Sequence, residues 1–163
     1  SSQVLGCDYD FEGGRLIAKE MADLLCLELV EKGLVTDSIS LYVGYSRRLQ
    51  KKSAHGTITM PVTTSSAKKI MGYTQELFEQ IVDRNAPIHR VTLAFNRVVD
   101  EMYQQYDLFT DPAEIEREHK IQKTMFEIKE KFGKNAILKG MNLEKGATTI
   151  ERNRQIGGHK SGE

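Results

Sequence analysis

Three sets of residues in this chain have types and spacings suited to chemistry or recognition. Asp8, Asp10 and Glu12 alternate near the start, as carboxylates sharing a divalent cation do. They also stand where a helix begins, and acids there already complement the helix macrodipole, so they are expected to be structural and the chain to hold no catalytic residue. Arg47, Arg48, Lys51 and Lys52 crowd one connection, and with Lys68 and Lys69 they occupy a segment, 38–75, that contains no acidic residue. Long cations at that density suit phosphate groups, although a solvated turn would look the same. Gln105-Tyr106-Asp107-Leu108-Phe109 sets an amide, an acid and two adjacent large apolar side chains in a polar stretch. That is the form of a short anchor in which Leu108 and Phe109 enter a partner's groove while Gln105 fixes register. The opposing expectation is that both apolar side chains close the domain's own core. Gly157-Gly158-His159-Lys160-Ser161 only faintly resembles a phosphate loop, lacking the glycine directly before the lysine.

Bulk properties bound what these sets can mean. A chain of 163 residues with 39% hydrophobic content can bury one compact core and carry an appendage. Its formal net charge of zero excludes a global basic field, so a nucleic-acid reading must rest on charge segregation. Cys7 and Cys26 lack CxxC spacing, and the four histidines form no paired ligand pattern, so neither a metal site nor a disulfide framework is expected. No apolar run of about 18 residues and no basic-then-apolar leader is present, which points to a reducing cytoplasm and no membrane partner.

The elements that position these residues follow from periodicity. Residues 3–5 suggest a short strand. From about Asp10 to Lys32, Ile17, Ala18, Met21, Leu24, Leu25 and Leu29 share one side of a helical wheel, opposite Arg15, Lys19, Glu20, Asp23 and Glu31, and Gly33 closes the helix. Gly13 and Gly14 within it are poor helix formers, costing about 1 kcal/mol each if interior. The period then switches to two: Ile39, Leu41, Val43 and Tyr45 face one way, Ser38, Ser40, Tyr42, Gly44 and Ser46 the other. A second strand around 55–60 is expected to end at Pro61, a helix to span about 66–84, and a last strand to run from Ile88 to Val99. The result is an α+β fold, a split βαββαβ sheet with both helices on one face and the other face left polar. Asp111-Pro112-Ala113-Glu114 starts a further helix ending near Phe132, with Ile121, Met125, Ile128 and Phe132 as its apolar stripe; docking on the domain itself is favoured over a coiled coil. The expected organisation is a binding domain over 1–100, a linker over 101–110, a C-terminal helix over 111–133 and a basic, mobile tail over 134–163.

In this order, Ser2-Gln3-Val4-Leu5, Asp8-Tyr9-Asp10-Phe11-Glu12, Val43-Gly44-Tyr45-Ser46 and Ile88-His89-Arg90-Val91-Thr92-Leu93-Ala94-Phe95-Asn96 resemble the C-terminal little-finger domain of bacterial Y-family translesion DNA polymerases, nearest the UmuC-like branch. The similarity covers about 2–109, and Phe132-Gly133-Lys134-Asn135 and Glu151–Lys160 resemble tails of that branch. The resemblance implies a sheet laid along primer–template DNA, holding backbone more than bases, in a polymerase of DNA repair and SOS damage tolerance. It implies Tyr42, Gly44, Ser46, Thr57, Arg90, Thr92 and Asn96 at the DNA-facing surface, beside Arg47, Arg48, Lys51 and Lys52. Ala94 departs from a basic position, so that contact is either lost or shifted toward Arg97. It also implies that Gln105, Asp107, Leu108 and Phe109 bind the sliding clamp, that the fragment is monomeric and without cofactor, and that Mg2+ chemistry belongs to a palm domain upstream. The alternative is a stand-alone RNA- or protein-binding module of the same layout; an RNA-recognition sheet wants aromatics on its central strands, and only Tyr42 qualifies.

Overall fold

The computed structural model describes residues 1–155 and the backbone of 156 and 159–160. Strand β1 (Ser2–Tyr9) leads into α1 (Phe11–Lys32), then β2 (Leu34–Tyr45), β3 (Ala54–Thr64), α2 (Ala67–Ile81) and β4 (Ile88–Asn96). The sheet order is β1-β4-β2-β3 with every neighbour antiparallel. Strand β4 is thus inserted between β1 and β2, and β2 between β3 and β4, so both βαβ crossovers are split and both helices lie over the same face.

Local chemistry sets the helix ends. Asp10 caps α1 by accepting from the Gly13 N–H at 2.7 Å, and Gly33, at φ 63, closes it by donating its N–H to the Leu29 and Val30 carbonyls. Ser66 accepts from the Lys69 N–H to cap α2. Between these helices and the sheet, Ile17, Met21 and Cys26 of α1 meet Ile70, Leu77 and Phe78 of α2 over Ile39, Leu41, Val43, Val91 and Leu93 of the central strands. The period-two expectation holds for the apolar side chains of β2 and β4, while Ser38 and Ser46, expected on the polar face, are buried.

Several boundaries differ from the sequence reading. Strand β1 spans Ser2–Tyr9 rather than residues 3–5, and β2 begins at Leu34, ahead of the alternation that marks it. Strand β3 runs through Pro61, because β3 is an edge strand where a missing N–H costs no ladder bond. A bulge there resets the register from Ser38↔Thr59 to Thr36↔Thr64. Helix α2 stops at Ile81, where Val82 turns extended. Strand β4 stops at Asn96, since Arg97 adopts a left-handed φ of 48; the chain resumes as β5 (Val99–Asp100), paired with the start of β2.

Beyond the linker, α3 (Pro112–Phe132) is capped by Asp111 and ends at Gly133, as its residues predict. Its packing face follows the expected stripe only in part, at Met125 and the half-buried Ile128. Ile121 and Phe132 are 56% and 69% exposed, and the buried positions are Ile115, Gln122 and Met125. Polar anchors cause the rotation: Gln122 accepts from Ala67 N–H and donates to the Ser65 carbonyl, while Glu118 accepts from Lys68 N–H and the Ser66 hydroxyl. Helix α3 is thereby docked on α1 and on the N-terminal turn of α2.

The stretch expected to be an unanchored tail returns to α1. Glu20, 2% exposed, accepts from Asn142 Nδ2 at 2.7 Å and from the backbone N–H groups of Thr148 and Thr149. Lys139 pairs with the buried Asp23 beside it. Residues 149–152 form a short helix, α4 (Thr149–Arg152). The phosphate-loop-like Gly157–Ser161 stretch falls mostly outside the described residues. Among the described residues no helix is long and apolar enough to cross a membrane.

Candidate nucleic-acid interface

Because helices cover one face of the sheet, every second residue of its strands points away from them. The register stacks these outward residues into rows across the sheet: Val4, Arg90 and Gly44; Ser2, Thr92, Tyr42 and His55; Ala94, Ser40 and Thr57; Asn96, Ser38 and Thr59. The hydroxyls are knitted together. Ser2 bonds Thr92 at 2.8 Å, Ser40 bonds Thr57 at 2.7 Å, and the Tyr42 hydroxyl bonds Ser53 at 2.6 Å. Asn96 donates its amide to both Ser38 and Ser40, leaving its carbonyl oxygen free. Apart from the buried Ser38, each hydroxyl retains a lone pair or proton for an outside partner, so the face is a pre-organised polar surface.

Cations frame this surface unevenly. Arg47 and Arg48 lie exposed in a single 3-10 turn after β2, and Lys52 follows them. With Arg90 on β4, these three have no carboxylate within ion-pair distance among the described residues. Lys51 is different: it pairs with Asp83 at 2.7 Å and lies over the Tyr45 ring. Its ammonium is held above the ordinary lysine range by that Asp83 contact. Arg97 pairs with Asp37 at 2.8 Å while its Nη2 donates to Thr59. Gly44 sits where a Cβ would approach Arg90 Cβ to 3.3 Å, so its bare backbone leaves room beside Arg90.

Other sequence candidates fall elsewhere. Ser46 is buried as the residue before the 3-10 turn, its N–H given to the Pro87 carbonyl, because the strand's alternation ends at Tyr45. Lys69 turns from the sheet to the linker. Asp10 is a helix cap, Asp8 contacts His89 and Glu12 pairs with Arg15, so these acids do not converge, and no cluster of three metal-ligating side chains occurs among the described residues. His55 was overlooked, although it shares the parity of Thr57 and Thr59.

The linker pentapeptide has a definite shape. Gln105 pins it to the sheet edge, its N–H on the Thr63 carbonyl at 2.9 Å and its Oε1 accepting the Thr63 N–H at 3.1 Å. Asp107 accepts from the Phe109 and Thr110 N–H groups and from Lys69, and the Lys69 hydrogen bond, aided by Thr110, holds its carboxyl down to about 2. Between these anchors Leu108 and Phe109 are 98% and 97% exposed. They do not close the domain's core. Phe109 borders a groove of about 820 Å³ between α2 and α3, on the side away from the sheet's open face.

The split βαββαβ layout with an open polar face and an appended helix is that of a polymerase little-finger domain. The chain belongs to the impB/mucB/samB family: the model of the family's C-terminal domain matches residues 2–108. It is 27% identical over 161 residues to the putative UV-damage repair protein UvrX of Bacillus subtilis, covering 98% of this chain and 38% of that protein. It is 31% identical over 116 residues to DNA polymerase IV 2 of Halalkalibacterium halodurans, covering 71% of this chain and 25% of that protein. The chain thus spans well under half the length of these Y-family relatives.

Proposed function

We propose that this domain holds primer–template duplex for a translesion polymerase of DNA repair and SOS damage tolerance, by contacts to the phosphate backbone across its open sheet face. One observation carries the reading: a four-strand outward surface of hydroxyl, amide and cationic side chains, bordered by the unpaired Arg47, Arg48 and Lys52, with Asp37 as the carboxylate at its far end. Outward β2 and β4 positions carry one aromatic, Tyr42, which favours backbone contact over base stacking. The same reading assigns nucleotidyl transfer and its Mg2+ to a palm domain of the parent polymerase, gives this domain a positioning role, and makes it a monomer of the cytoplasm. It also assigns Leu108 and Phe109 to the bacterial sliding clamp, supported by their exposure between two anchored linker residues.

Counterion release supplies the test. Fluorescence anisotropy with a labelled primer–template across a salt series should give log affinity falling linearly with log salt, by about 0.9 per neutralised phosphate. Alanine at Arg47, Arg48, Lys52 and Arg90 should flatten the slope by roughly 3 to 4, and Lys51→Ala should change it less because Asp83 already neutralises Lys51. A flat salt dependence of the unaltered protein would sink the reading.

A further inference from the structure

Two backbone irregularities coincide at one end of the open face. Asp37 lies between Thr36 and Ser38 of β2, opposite the β3 bulge where the register shifts, and Arg97, directly after β4, holds a left-handed φ of 48 that a long side chain rarely adopts. Together they bring the guanidinium back over the sheet. Its Nε donates to Asp37 Oδ1 at 2.8 Å and its Nη2 to Thr59 Oγ1 at 3.1 Å, beside the Asn96–Ser38–Ser40 network. Thr36 reinforces the corner, its hydroxyl reaching the Asn96 carbonyl at 2.5 Å. The left-handed backbone of Arg97 thus accompanies the pairing of its guanidinium with Asp37.

We infer that Asp37 is an internal counter-anion that withholds Arg97 from phosphate. This rests on the DNA-binding reading above and assigns its regulation at this end of the sheet. A cation paired at 2.8 Å to a carboxylate contributes no net charge to a neighbouring phosphate and releases no counterion when DNA arrives. The grip is therefore concentrated at the Arg47, Arg48 and Lys52 end, with Arg90 between, and the Arg97 end is hydrogen-bonding but neutral. A face gripped at one end holds a duplex weakly, as a domain that must let it translocate requires.

The discriminating set is the unaltered protein, Asp37→Asn and Asp37→Asn/Arg97→Gln, each in the anisotropy salt series with a melting curve to verify folding. Asparagine keeps an oxygen at the Oδ1 position for Arg97 Nε, so it removes charge and preserves the fold. Asp37→Asn should bind more tightly and steepen the slope by about 0.9, equivalent to a further loss of about 3.5-fold between 50 and 200 mM salt. The double variant, again neutral at this corner, should overlay the unaltered protein. A double variant shallower by about 0.9 would show that Arg97 already grips phosphate and would overturn the inference, as would Asp37→Asn with an unchanged or weaker slope. A flat slope in the unaltered protein overturns the DNA reading itself; an Asp37→Asn slope that is then also flat overturns this inference with it.

Discussion

Gly14 and Gly72 both lie inside helices, yet alanine at the two should have opposite effects. A Cβ at Gly72 meets nothing within 4 Å, so Gly72→Ala keeps only the propensity gain, up to about 1 kcal/mol of stabilisation. A Cβ at Gly14 would stand 2.5 Å from Ile88 Cδ1 and 3.3 Å from Phe78 Cζ, both fully buried side chains where α1 crosses α2 and β4. Overpacking of that kind costs about 1–3 kcal/mol, so Gly14→Ala should be net destabilising by roughly 1 kcal/mol in urea denaturation. Sequence alone counts Gly14 as a defect because helix propensity is local, whereas the clearance it provides belongs to partners more than sixty residues away in the chain. The same blindness explains Lys69 and Lys51. Their charge is legible in sequence, but Asp107 and Asp83, which claim them, lie outside the acid-free segment that made them look available.

At the scale of elements, the strands and helices of the sheet domain were legible because their apolar periods are undiluted, and their ends because caps such as Asp10, Gly33 and Asp111 are short-range devices. What failed was the meaning of a polar face. On the wheel of α1, Glu20 and Asp23 read as solvated, but residues 139–149 cover them and use them as anchors. The C-terminal stretch read as a loose tail for the complementary reason: it is poor in apolar residues and binds through Asn142, Lys139 and backbone N–H groups, which leave no periodic trace. Glu20→Ala would leave the Thr148 and Thr149 N–H groups without their acceptor and reduce Asn142 Nδ2 to its contact with Thr149 Oγ1. With about 1–3 kcal/mol for each buried orphan, the loss should be roughly 2 kcal/mol or more, with amide exchange rising across 139–149. Lys19→Ala, at a half-buried position of the same turn that shows no ion pair among the described residues, should stay within about 0.5 kcal/mol. Equal effects of the two would mean that the C-terminal segment is not held by Glu20.

For the molecule as a whole, both helices of the sheet domain lie over one side of the sheet with α3 and the C-terminal segment packed outside them, so that among the described residues the opposite face is uncovered, while the pentapeptide projects from the β3 edge. The motif was legible as a pattern of types, but not its posture, which depends on Thr63 and Lys69 far back in the chain. Posture decides between the two expectations for Leu108 and Phe109. Had they closed the core, replacing both with alanine would cost about 2–5 kcal/mol each and lower the melting temperature by many degrees. Being almost wholly exposed, they should be replaceable with melting unchanged to within about 1 °C, the surface-substitution range. If they are the clamp anchor, the same double variant should lose calorimetric binding to bacterial sliding clamp altogether, because such interfaces concentrate their energy in a few buried apolar side chains. Gln105→Ala should behave differently: its side chain already serves Thr63, so its loss should loosen the linker and weaken clamp binding without abolishing it. Clamp affinity retained by the Leu108→Ala/Phe109→Ala variant would remove the tether from this domain and leave the two side chains without a role in partner capture.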